Sequence, residues 1–303
     1  MQDAEFKQLR TQVFEMYGRG AYEEALALIE EKWEAFPDFE SDLFFWRACL
    51  AGRLGDGAGA IDALRQAAER GHWYHERMLR DPDLDLIRSS EELAELQRLF
   101  QERYEREQAE ARPRREVWEP HGSPQGLLVA LHGAGGSILT EGHYWRSAVD
   151  LGWRVAALQS SQVMGPGRYH WQDADKATEE LQQHLAAIGE ALLTVLAGFS
   201  MGAGVAIRAV LSGTVPARGF LAVAPSIRME QMTPLIAAAP RDLRGYIVVG
   251  TEDGWSYGPA MQLAAALRGA GLECSVEKVE GLDHDYPADF AASLERGLAF
   301  LQK

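Results

Sequence analysis

The stretch Leu192-Leu193-Thr194-Val195-Leu196-Ala197-Gly198-Phe199-Ser200-Met201-Gly202 decides how this chain of 303 residues is read. Its first six residues are apolar or β-branched, as a buried parallel strand requires. Residues 203–211, which follow, alternate small and aliphatic side chains at helical spacing. Between strand and helix lies G-x-S-x-G, a nucleophile elbow. The turn is so tight that side chains beside the serine would clash, so glycines flank it and the hydroxyl is pushed out. Such a serine is placed to attack something. The bland alternative is a glycine-rich connection in any α/β protein, and the order strand, turn, helix weighs against it.

Outward from this point the chain divides into two halves of different periodicity. Beyond Pro113, short apolar runs alternate with glycine-rich turns and amphipathic helices. Strands are expected near 114–119, 126–131, 153–158, 192–197, 219–223, 245–249 and 273–279, and helices near 141–150, 174–188, 201–212, 257–269 and 287–301. This alternation predicts an α/β fold with a mostly parallel central sheet and helices on both faces. The serine would follow a central strand, where open α/β sheets bind ligands.

From residue 3 to about 110 the spacing predicts helix throughout. A shift of 35 residues places Gly20 on Gly55, Ala25 on Ala60, Ile29 on Leu64 and Leu9 on Phe44. The glycine allows a sharp turn between antiparallel helices, the alanine lets them approach, and Pro37 closes the first unit, with His72 standing in the second. These positions resemble a tetratricopeptide repeat. About two units are visible, and residues 91–108 could cap the stack. Domains are therefore expected at 1–110, all-helical, and 111–303, α/β. Stacked repeats need neighbours to cover their apolar faces, so the helical domain is expected to pack on the second domain, ahead of a role in self-association.

A formal net charge of −15 argues against a nucleic-acid groove or an anionic membrane surface as partner. The one basic knot, Arg112, Arg114 and Arg115, sits in the expected linker. Cys49 and Cys274 are far apart and show no metal-binding spacing, so buried thiols in a reducing compartment are expected. The first ten residues lack an apolar leader, and no run approaches the ~20 apolar residues that cross a bilayer. We expect a cytoplasmic protein.

A serine hydroxyl needs a base to take its proton and a third group to orient that base. After Tyr246-Ile247-Val248-Val249 comes Gly250-Thr251-Glu252-Asp253-Gly254, and after the last strand comes Gly281-Leu282-Asp283-His284-Asp285. The order is then Ser200, Asp253, His284. His284 stands out among the eight histidines because it follows a strand in a glycine-started loop; His184 falls in an amphipathic helix, and His72 and His75 in the repeats. Glu252 competes with Asp253 for the acid role. Asp283 and Asp285 are expected to be solvated or to bond their own loop.

Ser, acid, His is the chain order of the α/β-hydrolases. HGAGG at 132–136, GFSMG at 198–202, GTEDG at 250–254 and GLDHDYP at 281–287 together make residues 114–303 resemble the esterase, carboxylesterase and acyl-thioesterase branch of that superfamily. The resemblance covers the C-terminal two thirds. It implies a serine esterase with Ser200 as nucleophile, His284 as base and Asp253, rather than Glu252, as acid, and it implies no metal or organic cofactor. It also places half of an oxyanion hole at the Ala134 amide, with Gly135 as the alternative, and the second donor at Met201. A dinucleotide turn or P-loop fails there, because G-x-G-x-x-G is absent and no lysine follows the glycines. His132 is expected to hold the loop by hydrogen bonds.

Residues 160–173, SSQVMGPGRYHWQD, form a long loop of the kind that is functional or mobile. Trp171 within it either lines a substrate pocket or anchors the loop, and Trp255 and Tyr257 could rim the site. Residues 226–244 are too short for a large lipid lid. Two rival functions use the same residues: a serine peptidase with the same triad, and a catalytically inert peptide-binding scaffold. A small-molecule ester or thioester is the expected partner.

Overall fold

The computed structural model describes residues 2–189 and 193–303, so Leu192, the expected start of the elbow strand, and Met1 lie outside the described residues. By internal contacts the chain separates into units 1–110 and 111–303.

The first unit contains helices α1 (Gln2–Gly18), α2 (Tyr22–Lys32), α3 (Glu40–Arg53), α4 (Gly57–Glu69), α5 (Glu76–Leu79) and α6 (Glu91–Glu110). Gly20 and Gly55 join the first two pairs with φ of 79° and 78°, a left-handed conformation that glycine adopts without a Cβ penalty. Ala25, Ala60, Ile29 and Leu64 are each fully buried, because the small residue lets paired helices close on the aliphatic one. Helix is not continuous through this unit, contrary to expectation. Pro37 starts a 3₁₀ turn at Pro37–Phe39, and Pro82 starts another at Pro82–Ile87. Proline has no N–H to continue an α-helical ladder but fits a first turn.

The second unit is built on a sheet of seven strands in the order β1-β3-β2-β6-β7-β8-β9. Their ranges are β1 (Arg114–Trp118), β2 (Leu127–Leu131), β3 (Arg154–Gln159), β6 (Thr194–Phe199), β7 (Gly219–Val223), β8 (Arg244–Gly250) and β9 (Glu273–Val279). Edge strand β1 runs antiparallel to β3, and the remaining pairs are parallel. A separate hairpin, β4 (Gln162–Gly165) and β5 (Arg168–His170), occupies the segment expected as an irregular loop. Its turn at Gly165-Pro166-Gly167 supplies a positive φ of 66° at Gly167, which two short strands require to reverse direction.

The inner strands β2, β3, β6, β7 and β8 are apolar on both faces because both are covered. Leu127, Val129, Leu131 and Leu196 pack with α8 (Ala174–Ile188), α9 (Ser200–Ser212), α10 (Met229–Ala238) and α11 (Tyr257–Gly269) on one side. Leu128, Ala130, Val195, Ala197 and Val248 pack with α7 (Ile138–Arg146) and α12 (Phe290–Leu301) on the other. Among the described residues no helix is long and apolar enough to cross a membrane.

Candidate active site

The elbow is a consequence of close approach. Strand β6 stays in register with its neighbours to its last residue, with Gly198 opposite Leu131 and Phe199 opposite Val223, and α9 begins at Ser200. Ser200 takes the turn with φ +50°, one of two non-glycine residues among those described with a positive value. That conformation is costly for a side chain and persists only where the surroundings impose it. A Cβ at Gly198 would lie 2.6 Å from the Gly202 carbonyl carbon, and one at Gly202 would lie 2.4 Å from the carbonyl oxygens of both His132 and Leu131. Both glycines are therefore required by backbone contact.

Ser200 Oγ lies 2.9 Å from His284 Nε2. On the far side of the ring, Nδ1 lies 2.8 Å from Asp253 Oδ2. Asp253 is fully buried, and its other oxygen accepts the amides of Trp255 at 3.0 Å and Ser256 at 2.9 Å. Burial pushes the Asp253 carboxyl up, but the Ser256 amide, the His284 ring and the Trp255 amide outweigh it and hold the acid below its ordinary range. It is a carboxylate at neutral pH and can fix the His284 proton on Nδ1, leaving Nε2 free to accept one from Ser200. The acid and histidine loops are stitched together by Glu252 N donating to Leu282 O and Gly281 N donating to Thr251 Oγ1, both at 3.0 Å.

Glu252 itself is exposed, so the ring meets Asp253. Asp283 is also exposed, while Asp285 Oδ1 accepts the Tyr286 amide at 2.7 Å, a bond within its own loop.

Residues 132–136 form a loop whose peptide groups are almost all engaged. Gly133 N donates to both oxygens of Glu141 at 3.0 Å, Gly135 N to Tyr169 O at 2.8 Å and Gly136 N to Gly133 O at 3.1 Å. His132 Nδ1 contacts Gly133 O at 2.7 Å, and its Nε2 accepts the Ser160 amide at 3.3 Å. Only the neutral tautomer with hydrogen on Nδ1 satisfies both bonds. Burial, the main cause, lowers His132 from 6.5 to about 4, so that neutral ring persists. Among the described hydrogen bonds none takes the Ala134 N–H, on an exposed residue. Because C=O and N–H of one peptide point opposite ways, the two donors on Gly133 O also fix the direction of the Ala134 N–H. Gly135, the alternative, is taken by the hairpin. Met201 N–H is in the first turn of α9, where amides have no intrahelical partner.

Trp171 is an anchor. It is buried, and its Nε1 donates to His132 O at 2.9 Å. Its amide approaches Met201 Sδ at 3.3 Å. Trp255, in contrast, is 87% exposed beside the acid.

Four residues near the site carry no sequence signal strong enough to single them out. Ser256 Oγ lies 3.3 Å from His284 Nδ1 while donating to Ala224 O at 3.0 Å. Phe199 packs against His284 with ring centroids 5.1 Å apart. Tyr286 stacks on Phe199 at 4.6 Å and donates to Glu141 Oε2 at 3.0 Å. Phe199 and Tyr286 lie within the motifs at 198–202 and 281–287, and Glu141 shortly after the glycine loop, but the sequence assigns none of them these contacts.

Away from this site, Cys49, Asp81 and Asp83 offer ligand atoms within 4.8 Å of one another in the helical unit. Tyr17 Oη already donates to both Asp83 oxygens at 2.8 Å, and burial raises the Cys49 thiol, which disfavours the thiolate a metal needs.

Residues 5–109 match the model of the A/B hydrolase-like, N-terminal domain. An uncharacterized protein from Bacillus cereus ATCC 10987 is 26% identical over 98% of this chain and 99% of its own, with a TM-score of 0.56. Esterase PE8 is 20% identical over 63% of this chain and 99% of its own, with a TM-score of 0.55. The monoacylglycerol lipase of Paleococcus ferrophilus is 14% identical over 63% of this chain and 98% of its own, at 0.51. No curated protein matches the chain. The fold of the second unit is the α/β-hydrolase fold, preceded by an all-helical domain.

Proposed function

We propose that this protein is a serine hydrolase that cleaves carboxylic esters or thioesters through an acyl-enzyme. The observation that carries the reading is the His284 ring, held between Ser200 Oγ at 2.9 Å and the buried Asp253 carboxylate at 2.8 Å. The likeness to an esterase and a lipase supports the fold in which such chemistry is done, and the site residues carry the rest.

Ser200 Oγ attacks the carbonyl carbon as its proton passes to His284 Nε2, and the carbonyl π electrons move onto oxygen. The amides of Ala134 and Met201 receive that oxyanion. The intermediate collapses, the C–O or C–S bond breaks, and the His284 proton goes to the departing alkoxide or thiolate. Water then repeats the sequence on the acyl-Ser200 ester, giving its proton to His284, which returns it to Ser200 as the acid leaves. Asp253 stays ionised and orients the ring throughout. The buried free thiols of Cys49 and Cys274 support a reducing, cytoplasmic setting.

Ser200→Ala tests the assignment. Turnover of p-nitrophenyl butyrate should fall on the order of a millionfold with the fold intact, and a fluorophosphonate probe should label the wild type at Ser200 alone. Undiminished turnover in the variant sinks the nucleophile; an unlabelled wild type favours the inert scaffold. Faster release of arylamides than of aryl esters would favour the peptidase.

A further inference from the structure

Three loops must hold their places for the proposed chemistry: the elbow, the histidine loop and the glycine loop that carries Ala134. Tyr286 connects all three, reaching the glycine loop through Glu141. It lies two residues beyond His284, its ring stacks on Phe199 of the elbow at 4.6 Å and 22°, and its hydroxyl donates to Glu141 Oε2 at 3.0 Å. The Glu141 carboxylate in turn accepts the Gly133 amide on both oxygens. The opposite face of Tyr286 stacks on Tyr144 at 3.9 Å and 9°, and Phe290 meets it edge-on at 5.0 Å. The ring is thereby fixed in plane and direction, with its hydroxyl on Glu141 and the Trp145 side chain beside it.

We infer that Tyr286 and Glu141 form a clasp that positions the glycine loop, so that the Ala134 amide faces the oxyanion of the reaction proposed above; this rests on that serine-hydrolase reading. Neither side chain touches substrate. Both act by position. The Gly133 amide belongs to the peptide next to the one bearing Ala134 N–H, so releasing it frees one flank of that peptide. His132 Nδ1 and Gly136 N still hold the other through Gly133 O. Burial raises the Tyr286 phenol well above its ordinary value, so the hydroxyl remains a donor across the working pH range.

The test compares Tyr286→Phe, Glu141→Ala, Glu141→Gln and the double variant Tyr286→Phe with Glu141→Ala in the full chain. A misplaced oxyanion donor costs transition-state binding and spares the ground state. The kcat for p-nitrophenyl butyrate should therefore fall about 10-fold in Tyr286→Phe and about 100-fold in Glu141→Ala, with KM within twofold. The inhibition constant of an alkyl trifluoromethyl ketone, which forms the same oxyanion, should rise in step. Glu141→Gln should recover activity to within about threefold, because its amide oxygen can accept Gly133 N and its NH2 can donate to the Tyr286 oxygen. The double variant should be no worse than Glu141→Ala, since the two act through one contact.

Wild-type kcat in both single variants, a rise in KM at constant kcat, or losses that multiply in the double variant would each overturn the clasp. Should Glu141→Ala fail to fold by circular dichroism, Tyr286→Phe decides, since it removes one oxygen from an otherwise unchanged stack. Fluorophosphonate labelling separates the two readings. An unlabelled wild type removes the hydrolase reading and the clasp with it, whereas a labelled wild type with unaffected variants removes the clasp alone.

Discussion

Gly202→Ala adds one methyl group where two backbones touch, and its effect can be worked from distances. The new Cβ would lie 2.4 Å from the carbonyl oxygens of His132 and Leu131, against about 3.3 Å for an ordinary C···O contact. Neither oxygen is on a flexible side chain, so the start of α9 must separate from the end of β2 by about 1 Å. That start carries Ser200 Oγ and the Met201 amide; the chain just past β2 carries the Ala134 amide. If, as proposed, these two amides receive an oxyanion at about 2.7–3.1 Å, they cannot both remain in range, and losing one should cost about 3–4 kcal/mol of barrier, or 10²- to 10³-fold in kcat. Overpacking of this kind also destabilises by about 1–3 kcal/mol, lowering Tm by about 2–12 °C for a unit of this size. The assay is kcat for p-nitrophenyl butyrate normalised to fluorophosphonate-titrated Ser200, with a thermal melt on the same sample. Gly258→Ala is the matched control: it lies in α11 with nothing within 4 Å of an added Cβ, and should keep wild-type turnover while gaining up to about 1 kcal/mol of helix stability. Turnover of Gly202→Ala within threefold of wild type would refute the reasoning.

Other outcomes follow from the same geometry. Asp253→Asn keeps the shape but turns an amide toward His284 Nδ1, favouring the wrong tautomer; turnover should drop on the order of 10⁴-fold, and a loss under tenfold would remove the acid from its role. Stability should fall on the acid side of neutrality. Burial is the main cause of the low values of both His132 and His184, each about 4 against an ordinary 6.5, with His170 adding to the first and Arg115 to the second. Between pH 4 and 6.5 the unfolded chain binds more protons than the folded one, so stability present above that window is lost as pH falls through it, by about 2–3 kcal/mol per ring at pH 4.5. Urea midpoints at pH 7 and 4.5 measure this, and His184→Leu should remove one ring's share; an unchanged slope in that variant would count against a buried neutral His184.

The sheet and the elbow were legible because parallel strands covered on both faces are continuous apolar runs, and because Gly198, Ser200 and Gly202 mark a local turn. Boundaries shifted where local chemistry differs from pattern. Helix α7 begins at Ile138 rather than near 141 because Ser137 and Thr140 form a capping box, whereas the familiar signature has Glu or Gln in the second place. Helix α12 begins at Phe290, past Pro287, because the Asp289 carboxylate accepts the Ala292 amide. Residues 160–173 were opaque for a different reason. The hairpin there bridges to Gly136 through Tyr169, and nothing local announces a partner so distant in the chain. The bond between Glu141 and Tyr286 was invisible for the same cause, since neither residue type nor spacing records a hydrogen bond closed by tertiary packing.

The side-chain bonds that join Ser200, His284 and Asp253, and the one from Tyr286 to Glu141, close long spans of chain. Ser200 and His284 are 84 residues apart, His284 and Asp253 are 31, and Glu141 and Tyr286 are 145. Non-local contacts form late in folding because loop-closure entropy is spent before they return any energy. Helices and single strand pairs can form while the reacting groups are still far apart. The Tyr286 hydroxyl can reach Glu141 only after β2, β6, β8 and β9 have all been laid in order. On the proposed function, turnover therefore depends on contacts between segments far apart in the chain, so loosening any one of those strands should cost activity.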